Sequence, residues 1–385
     1  MGVPSDPYAE PRVRLTELSL ANFRNLAAAV LDVPADGAVL VGANGQGKTS
    51  VLEAIHYLAL FRSFRGARHC EAIRFAEDHF RVAGGVAYGD GRTRTVAVAA
   101  DRTTRRISLD GQTTRRPGEA VGTVLTVLMT PEDLALIGGG PLGRRRYLDT
   151  LLALTSRACW RALQEYDRVL RQRNELLRAR APAPAGVRES WDAALVAAGT
   201  GLIVARRALT ARLDARFAAV GALIAGDEDR SALTLTYRSS IDGAPVALDD
   251  PAAVAEAWTA ALLASEREDR ARGWTTVGPH RDDLEVQLDG RPLARYGSQG
   301  ERRTAAISLR LLEAEILEAD TNHSPILLLD DVFSELDPGR AERLVARLGP
   351  ARQRFITTPR PLPWLEPTLA RWDVAAGCIT PRAAA

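Results

Sequence analysis

Gly42 to Thr49, reading GANGQGKT, has the residue types and spacing of a phosphate cradle. The apolar run Ala38-Val39-Leu40-Val41 precedes it and Ser50-Val51-Leu52-Glu53-Ala54-Ile55 follows, so a buried strand is expected to turn into a helix here. Gly42, Gly45 and Gly47, with Asn44 inside the same turn, permit a compact loop whose backbone N–H groups point at an anion. The helix start adds its own unpaired donors and dipole. Lys48 is placed to reach the β- and γ-phosphates of a nucleotide, and the Thr49 hydroxyl to ligate Mg²⁺. Lys48 is also the only lysine among 50 basic residues. Elsewhere the chain uses arginine, whose planar fork does not replace a compact ammonium.

A second set of residues suits the same chemistry. In Pro325-Ile326-Leu327-Leu328-Leu329-Asp330-Asp331 four aliphatics predict a central buried strand, and Asp330 at its end could hold the Mg²⁺ shell. Asp331 is placed to orient an attacking water or take its proton. Upstream, Ser298-Gln299-Gly300-Glu301 opens a helix carrying Ala306, Leu309, Leu312 and Ile316, a second possible cradle. One triphosphate rarely needs two cradles, so this one is expected to face the nucleotide of a second subunit, in a head-to-tail sandwich. Ser334 to Asp337 could line that interface, and Thr357 or Thr358 could sense the γ-phosphate. His280 lacks a second histidine or cysteine at useful spacing, which favours a structural or DNA-facing polar role over metal ligation.

These residues need elements to position them. Alternation predicts strands over 12–20 and 27–33, joined at Asn22 to Asn25 and sharing one sheet with the strand at 38–41. The helix from Lys48 shows one broad apolar face, and 80–109 reads as a small antiparallel meander. Arg62, Arg65, Arg68 and Arg74 follow closely. Arg62 or Arg65 could approach the nucleotide and the others a polyanion, or the segment is a solvated basic turn with aromatic anchors. From 121 the pattern becomes helical: one long helix over 147–177, a proline-containing link at 181–186, and a second from 189 to 217. Together they predict an antiparallel helical hairpin, with a compact helical subdomain as the alternative. The expected organisation is 1–120 and 275–385 as the two parts of a nucleotide-binding head, with 121–274 inserted between them.

The 385 residues suffice for two or more domains, and 46% hydrophobic with 25% charged residues is ordinary globular composition. A net charge of +2 means that any nucleic acid must be held by local arginine patches. Cys70, Cys159 and Cys378 match no metal pattern, and reduced thiols in a cytosolic protein are expected. No run reaches 18 apolar residues, so no membrane span is expected.

Taken in order, several stretches resemble the RecF family of bacterial DNA repair ATPases, within the wider ABC and SMC-like class. They are Asn22 to Asn25, Gly42 to Thr49, Phe61 to Arg65, Thr130 to Leu134, Arg144 to Asp149, Gly278 to Asp283, Ser298 to Arg303 and Leu327 to Asp337. The resemblance implies an α/β P-loop ATPase head with an inserted, mainly helical arm. It implies binding of ATP, Mg²⁺ and DNA, including gapped DNA, with DNA contacts expected among Arg62, Arg65, Arg68 and Arg74, dimerisation on ATP, and action with RecR and RecO in placing the recombinase. By the same resemblance Lys48 and Thr49 are phosphate and Mg²⁺ residues, Ser298 to Glu301 is the signature loop for the opposite subunit, and Asp330 is the Mg²⁺-directed acid. Asp331 stands where many ABC proteins carry glutamate, which fits slow hydrolysis. The main alternative is another SMC-like ATPase serving a nuclease or a protein-remodelling complex.

Overall fold

The computed structural model describes residues 13–179, 186–226, 232–241, 249–349, 352–362, 364 and 368–382. The N-terminal extension, nearly all of the 181–186 link and most of the polar stretch at 225–230 lie outside them. In chain order the elements are β1 (Val13–Phe23), β2 (Leu26–Asp32), β3 (Gly37–Val41), α1 (Lys48–Leu60), β4 (His79–Tyr88), β5 (Thr93–Asp101), β6 (Arg105–Leu109), β7 (Gln112–Thr114) and β8 (Thr126–Met129). Then come α2 (Leu134–Gly138), α3 (Pro141–Thr155), α4 (Arg157–Arg178), α5 (Val187–Ala225), β9 (Leu233–Arg238), α6 (Pro251–Ala264), α7 (Glu266–Arg272), β10 (Asp283–Leu288), β11 (Arg291–Pro292) and α8 (Leu293–Tyr296). The chain ends with α9 (Gln299–Thr321), β12 (Ile326–Asp330), α10 (Pro338–Leu348), β13 (Arg354–Thr358), β14 (Ala370–Ala375) and β15 (Cys378–Arg382).

Two compact units result, one from residues up to 133 with those from 313 onward, the other from 134–312. These limits differ from the expected ones at 120/121 and 274/275. The apolar run after Val121 becomes β8, which pairs in parallel with β12 and so belongs with the phosphate-loop sheet.

Among the described residues the first unit holds two six-stranded sheets, ordered β2-β1-β4-β5-β6-β7 and β15-β14-β3-β13-β12-β8. β1 and β2 therefore do not share the sheet of β3, contrary to expectation; they extend the antiparallel meander. Side-chain pattern explains the division, because β1 alternates buried with exposed positions whereas β3 and β12 are buried at every residue. A strand buried on both faces suits a parallel sheet, and β3, β13, β12, β8 and β14 are parallel.

α1 lies between the two sheets, touching β1, β4 and β5 on one side and β8, β12 and β13 on the other. Every residue from Lys48 to Leu60 except Thr49 is buried, so the helix is covered all round and not on one face alone. Within the meander β4 runs straight through Gly84. A Cβ there would sit 2.6 Å from Leu15 and 2.7 Å from Leu58, so glycine lets the strand lie flat against α1.

In the second unit the long helix expected over 147–177 is two helices. Ser156 stops α3 in extended conformation, and its hydroxyl accepts from the Cys159 N–H at 3.3 Å to start α4. α5 is the centre of this unit, packed against α3, α4, α6 and β9, with the small sheet β11-β10-β9 beside it. By length and composition α5 could cross a membrane, although no unbroken apolar run announces it. Half of its most apolar window is buried within the protein, where Leu202, Leu209, Leu213 and Phe217 form the core. Cys70, Cys159 and Cys378 are free thiols.

Candidate functional site

The turn at Asn22 to Asn25 is wired to α1. Arg24 lies against the fully buried Glu53 with paired hydrogen bonds of 3.0 and 2.6 Å, and also donates to the Glu71 carbonyl at 2.8 Å. Glu53 needs this partner, since a buried carboxylate without one is costly. Ser63 and Arg65 complete its surroundings, at 2.6 and 3.7 Å. Asn25 next to Arg24 accepts from the Ser50 hydroxyl at 2.9 Å. The phosphate loop and helix start are thus held by a hairpin far from them in sequence pattern.

α1 begins at Gly47 with no side-chain cap and no acid in its first turn. Its free N–H groups and positive dipole end are therefore available to an anion. Beside this helix start lies a cavity of about 880 Å³, within the range of small-molecule sites. Asn44, Gly45, Gly47, Lys48, Thr49 and Ser50 line it, together with Asp330, Asp331 and Thr357. Lys48 donates to the Gly42 and Ala43 carbonyls at 2.7 and 3.0 Å, which uses two of its three donors. Burial lowers its pKa from lysine's ordinary value, against the pull of Asp331 and Asp330. Gly42 takes part through that carbonyl and is not itself a wall of the cavity.

The acids meet the loop as their spacing suggests. Asp330 at the end of β12 accepts from the Thr49 hydroxyl at 2.9 Å and from the Thr357 hydroxyl at 2.7 Å. Burial raises its pKa, and those two hydrogen bonds oppose the rise. A hydroxyl and a carboxylate sharing one corner form the donor set Mg²⁺ takes when substrate phosphates and water supply the rest, so the residues fit that ion. The Asp331 N–H donates to Thr357 at 2.9 Å, its backbone is left-handed at φ 52°, and its Oδ1 is buried with no partner among the described residues. Thr357 is thus the threonine at the site. Thr358 turns away, donating to the Arg360 carbonyl at 2.6 Å.

The four arginines separate. Arg65 and Arg74 line the cavity, while Arg62 is exposed and Arg68 pairs with Glu71 at 3.2 Å. Ser298 to Glu301, in the second unit, starts α9 as a reciprocal capping box. The Ser298 N–H donates to the Glu301 carboxylate at 2.6 Å and the Glu301 N–H to the Ser298 hydroxyl at 3.3 Å. Gln299 is exposed beside it and Gly300 partly so.

Arg144 to Asp149 and Gly278 to Asp283 prove to be one interlocked set. Arg144 forks onto Asp283 at 2.7 and 2.9 Å, Arg145 reaches the Asp282 carbonyl at 2.7 Å, and Arg206 forks onto Asp149 at 2.8 and 2.9 Å. His280 belongs to this interior. Its Nε2 donates to the Thr275 carbonyl at 2.9 Å, so Nδ1 is the acceptor for Tyr166 O–H at 2.6 Å.

Sequence reasoning gave no role to Arg24, Asn25, Glu53, Phe75 or Glu132, of which all but Glu53 line the cavity. The polar turn between two strands was the available signal for the first two. Glu53 reads as an ordinary helix residue until its burial is known.

The model of the RecF/RecN/SMC N-terminal domain matches residues 14–362. The chain is 40% identical to the DNA replication and repair protein RecF of Anaeromyxobacter sp. (strain K) over 96% of its own length and 99% of that protein. It is 38% identical to the protein of the same name from Frankia alni, over 95% and 98%. Among solved structures it is similar to the recombination mediator protein RecF bound to ATP in the RecFOR pathway, with a TM-score of 0.90, 30% identity and coverage of 98% and 100%. The Smc head domain from Pyrococcus furiosus, at a TM-score of 0.55 and 15% identity over 96% of each chain, shares the fold. On the full-length match to RecF proteins, the phosphate loop and the parallel sheet that carries it, this chain belongs to the RecF family, with an SMC-like ATPase head fold.

Proposed function

We propose that this chain is an ATP-dependent DNA-binding protein of recombinational repair and replication-fork maintenance, a weak ATPase that dimerises when ATP is bound. One observation carries the reading: Lys48, Thr49, Asp330 and Asp331, brought from opposite ends of the sequence, face one cavity at an uncapped helix start. Lys48, with Asn44, Gly45 and Gly47, holds the phosphates of the substrate ATP, and Thr49 with Asp330 holds Mg²⁺. The ion, when bound, neutralises charge developing on the β- and γ-oxygens. Asp331 orients the attacking water through its unpartnered Oδ1, and Thr357 keeps both acids in place. An aspartate reaches about one methylene less far than a glutamate, which supports slow turnover.

Ser298, Gln299, Gly300 and Glu301 act as the loop that completes the opposite subunit's site, so the head comprises the first unit and the start of α9. DNA is held mainly through its phosphates by surface arginines, with little base preference. Arg62 and Arg68 are the better candidates, because Arg65 and Arg74 face the nucleotide cavity. RelatIves named for the RecFOR pathway support RecR as partner, with RecO in the same route.

The test is molecular mass in solution with and without ATP, Mg²⁺ and duplex DNA, for wild type, Lys48→Ala and Ser298→Arg. ATP doubles the mass of the wild type and of neither variant. A wild-type mass indifferent to ATP overturns the dimer mechanism.

A further inference from the structure

The lining of the cavity is chemically mixed. Asp330, Asp331 and Thr357 are the part of it suited to the γ-phosphate and Mg²⁺. The same lining includes Asn25, which accepts from Ser50, and Ile73, Arg74 and Phe75. Nothing in the phosphate chemistry uses Phe75, a phenyl ring that is 95% exposed on the cavity's rim. The backbone that carries it is nevertheless fixed. Ile73 bridges Phe23, the Arg74 N–H donates to the Asn22 carbonyl at 2.9 Å, and the Glu77 N–H donates to the Arg74 carbonyl at 3.0 Å. Asn22 further ties Glu77 at 3.1 Å, and Ala76 takes a left-handed backbone at φ 67° to close the turn. A non-glycine residue in that region persists only where its surroundings fix it.

We propose that Phe75 is the stacking surface for the nucleobase, the residue that makes the site prefer a nucleoside triphosphate to bare tripolyphosphate. The inference rests on the nucleotide reading above. The cradle at Gly45 to Thr49 cannot itself distinguish the two ligands, because it contacts phosphate alone. An exposed aromatic face in the same lining supplies the missing recognition, and it tolerates different bases because each has a π-face. Its effect is on binding, since a phenyl ring neither gives nor takes a proton.

Calorimetric titration of wild type, Phe75→Ala and Phe75→Trp with ATP and with tripolyphosphate, both with Mg²⁺, tests this. Phe75→Ala is expected to weaken ATP about tenfold and leave tripolyphosphate unchanged. Phe75→Trp restores ATP affinity, and its added fluorescence is quenched by ATP but not by tripolyphosphate. Equal loss for both ligands means that Phe75 only shapes the loop, and overturns the proposal. So does wild-type ATP affinity in Phe75→Ala, including the case where duplex DNA binding falls instead. Wild type that binds neither ligand overturns the nucleotide reading itself, a result distinct from the others.

Discussion

His280 is flanked by Arg281, Asp282 and Asp283, yet its ring is used for internal fit. Both nitrogens are engaged, and burial pushes its pKa down to about 4. The folded protein therefore keeps the ring neutral where an unfolded chain, with a histidine pKa near 6.5, takes up a proton. Between those two values the unfolded state binds more protons, so stability rises with pH and falls as acid is added. From pH 7.5 to pH 5 this one residue should remove about 2 kcal/mol. Asp282 shifts the other way, its pKa raised by burial, so the comparison must be with a variant at the same pH values. Denaturant unfolding of wild type and His280→Asn at pH 7.5 and 5 separates the contributions. The variant is weaker at pH 7.5 through its lost hydrogen bonds, but it loses less on acidification. Equal losses in both proteins would show that His280 titrates in the fold.

The hairpin of β14 and β15 shows how an element remote in sequence sets the phosphate loop. At its turn the Ala376 N–H donates to the Gln46 side chain at 2.6 Å, and the Gly377 N–H to the Gln46 carbonyl at 3.0 Å. A Cβ on Gly377 would lie 2.2 Å from the Asn25 carbonyl oxygen, and the residue has φ +77°. Gly377→Ala should therefore cost about 2 kcal/mol of stability and also weaken ATP binding severalfold, because relief of the clash moves Gln46 or Asn25. Gly91→Ala is the control: φ is +83° there too, but a Cβ meets nothing within 4 Å. It should cost about 1 kcal/mol and leave ATP affinity alone. Unaltered ATP affinity in Gly377→Ala would remove the hairpin from the site. The sequence made Lys48, Thr49 and Asp330 readable because each signal is local: a loop between strand and helix, an acid after four aliphatics. The clasp on Gln46, the Arg24–Glu53 pair and the separation of β1 from β3 depend on which distant segments meet, and alternation in a strand does not name its partner. The helix break was within reach, since Ser156 is a good N-cap, but the apolar spacing runs on past it.

At the scale of the whole molecule the proposal makes each ATP site belong to two chains, Lys48 from one and Ser298 from its partner. A two-fold dimer then has two equivalent sites, and the symmetry can be used against the mechanism. Lys48→Ala spoils the loop of its own chain and leaves its Ser298 sound; Ser298→Arg does the reverse. Alone, each variant cannot complete a site, stays monomeric with ATP and should hydrolyse almost none. Mixed in equal amounts, the two variants can close only as dimers with one chain of each kind, since neither dimerises alone. In such a dimer the intact Lys48 of one chain faces the intact Ser298 of the other, while the second site carries both defects. With one sound site in each mixed dimer acting independently, the mixture should recover about half of the wild-type rate. A site complete within a single chain predicts no recovery at any ratio. The mixing ratio supplies the internal control, since recovery from shared sites peaks at equal amounts and vanishes toward either pure variant.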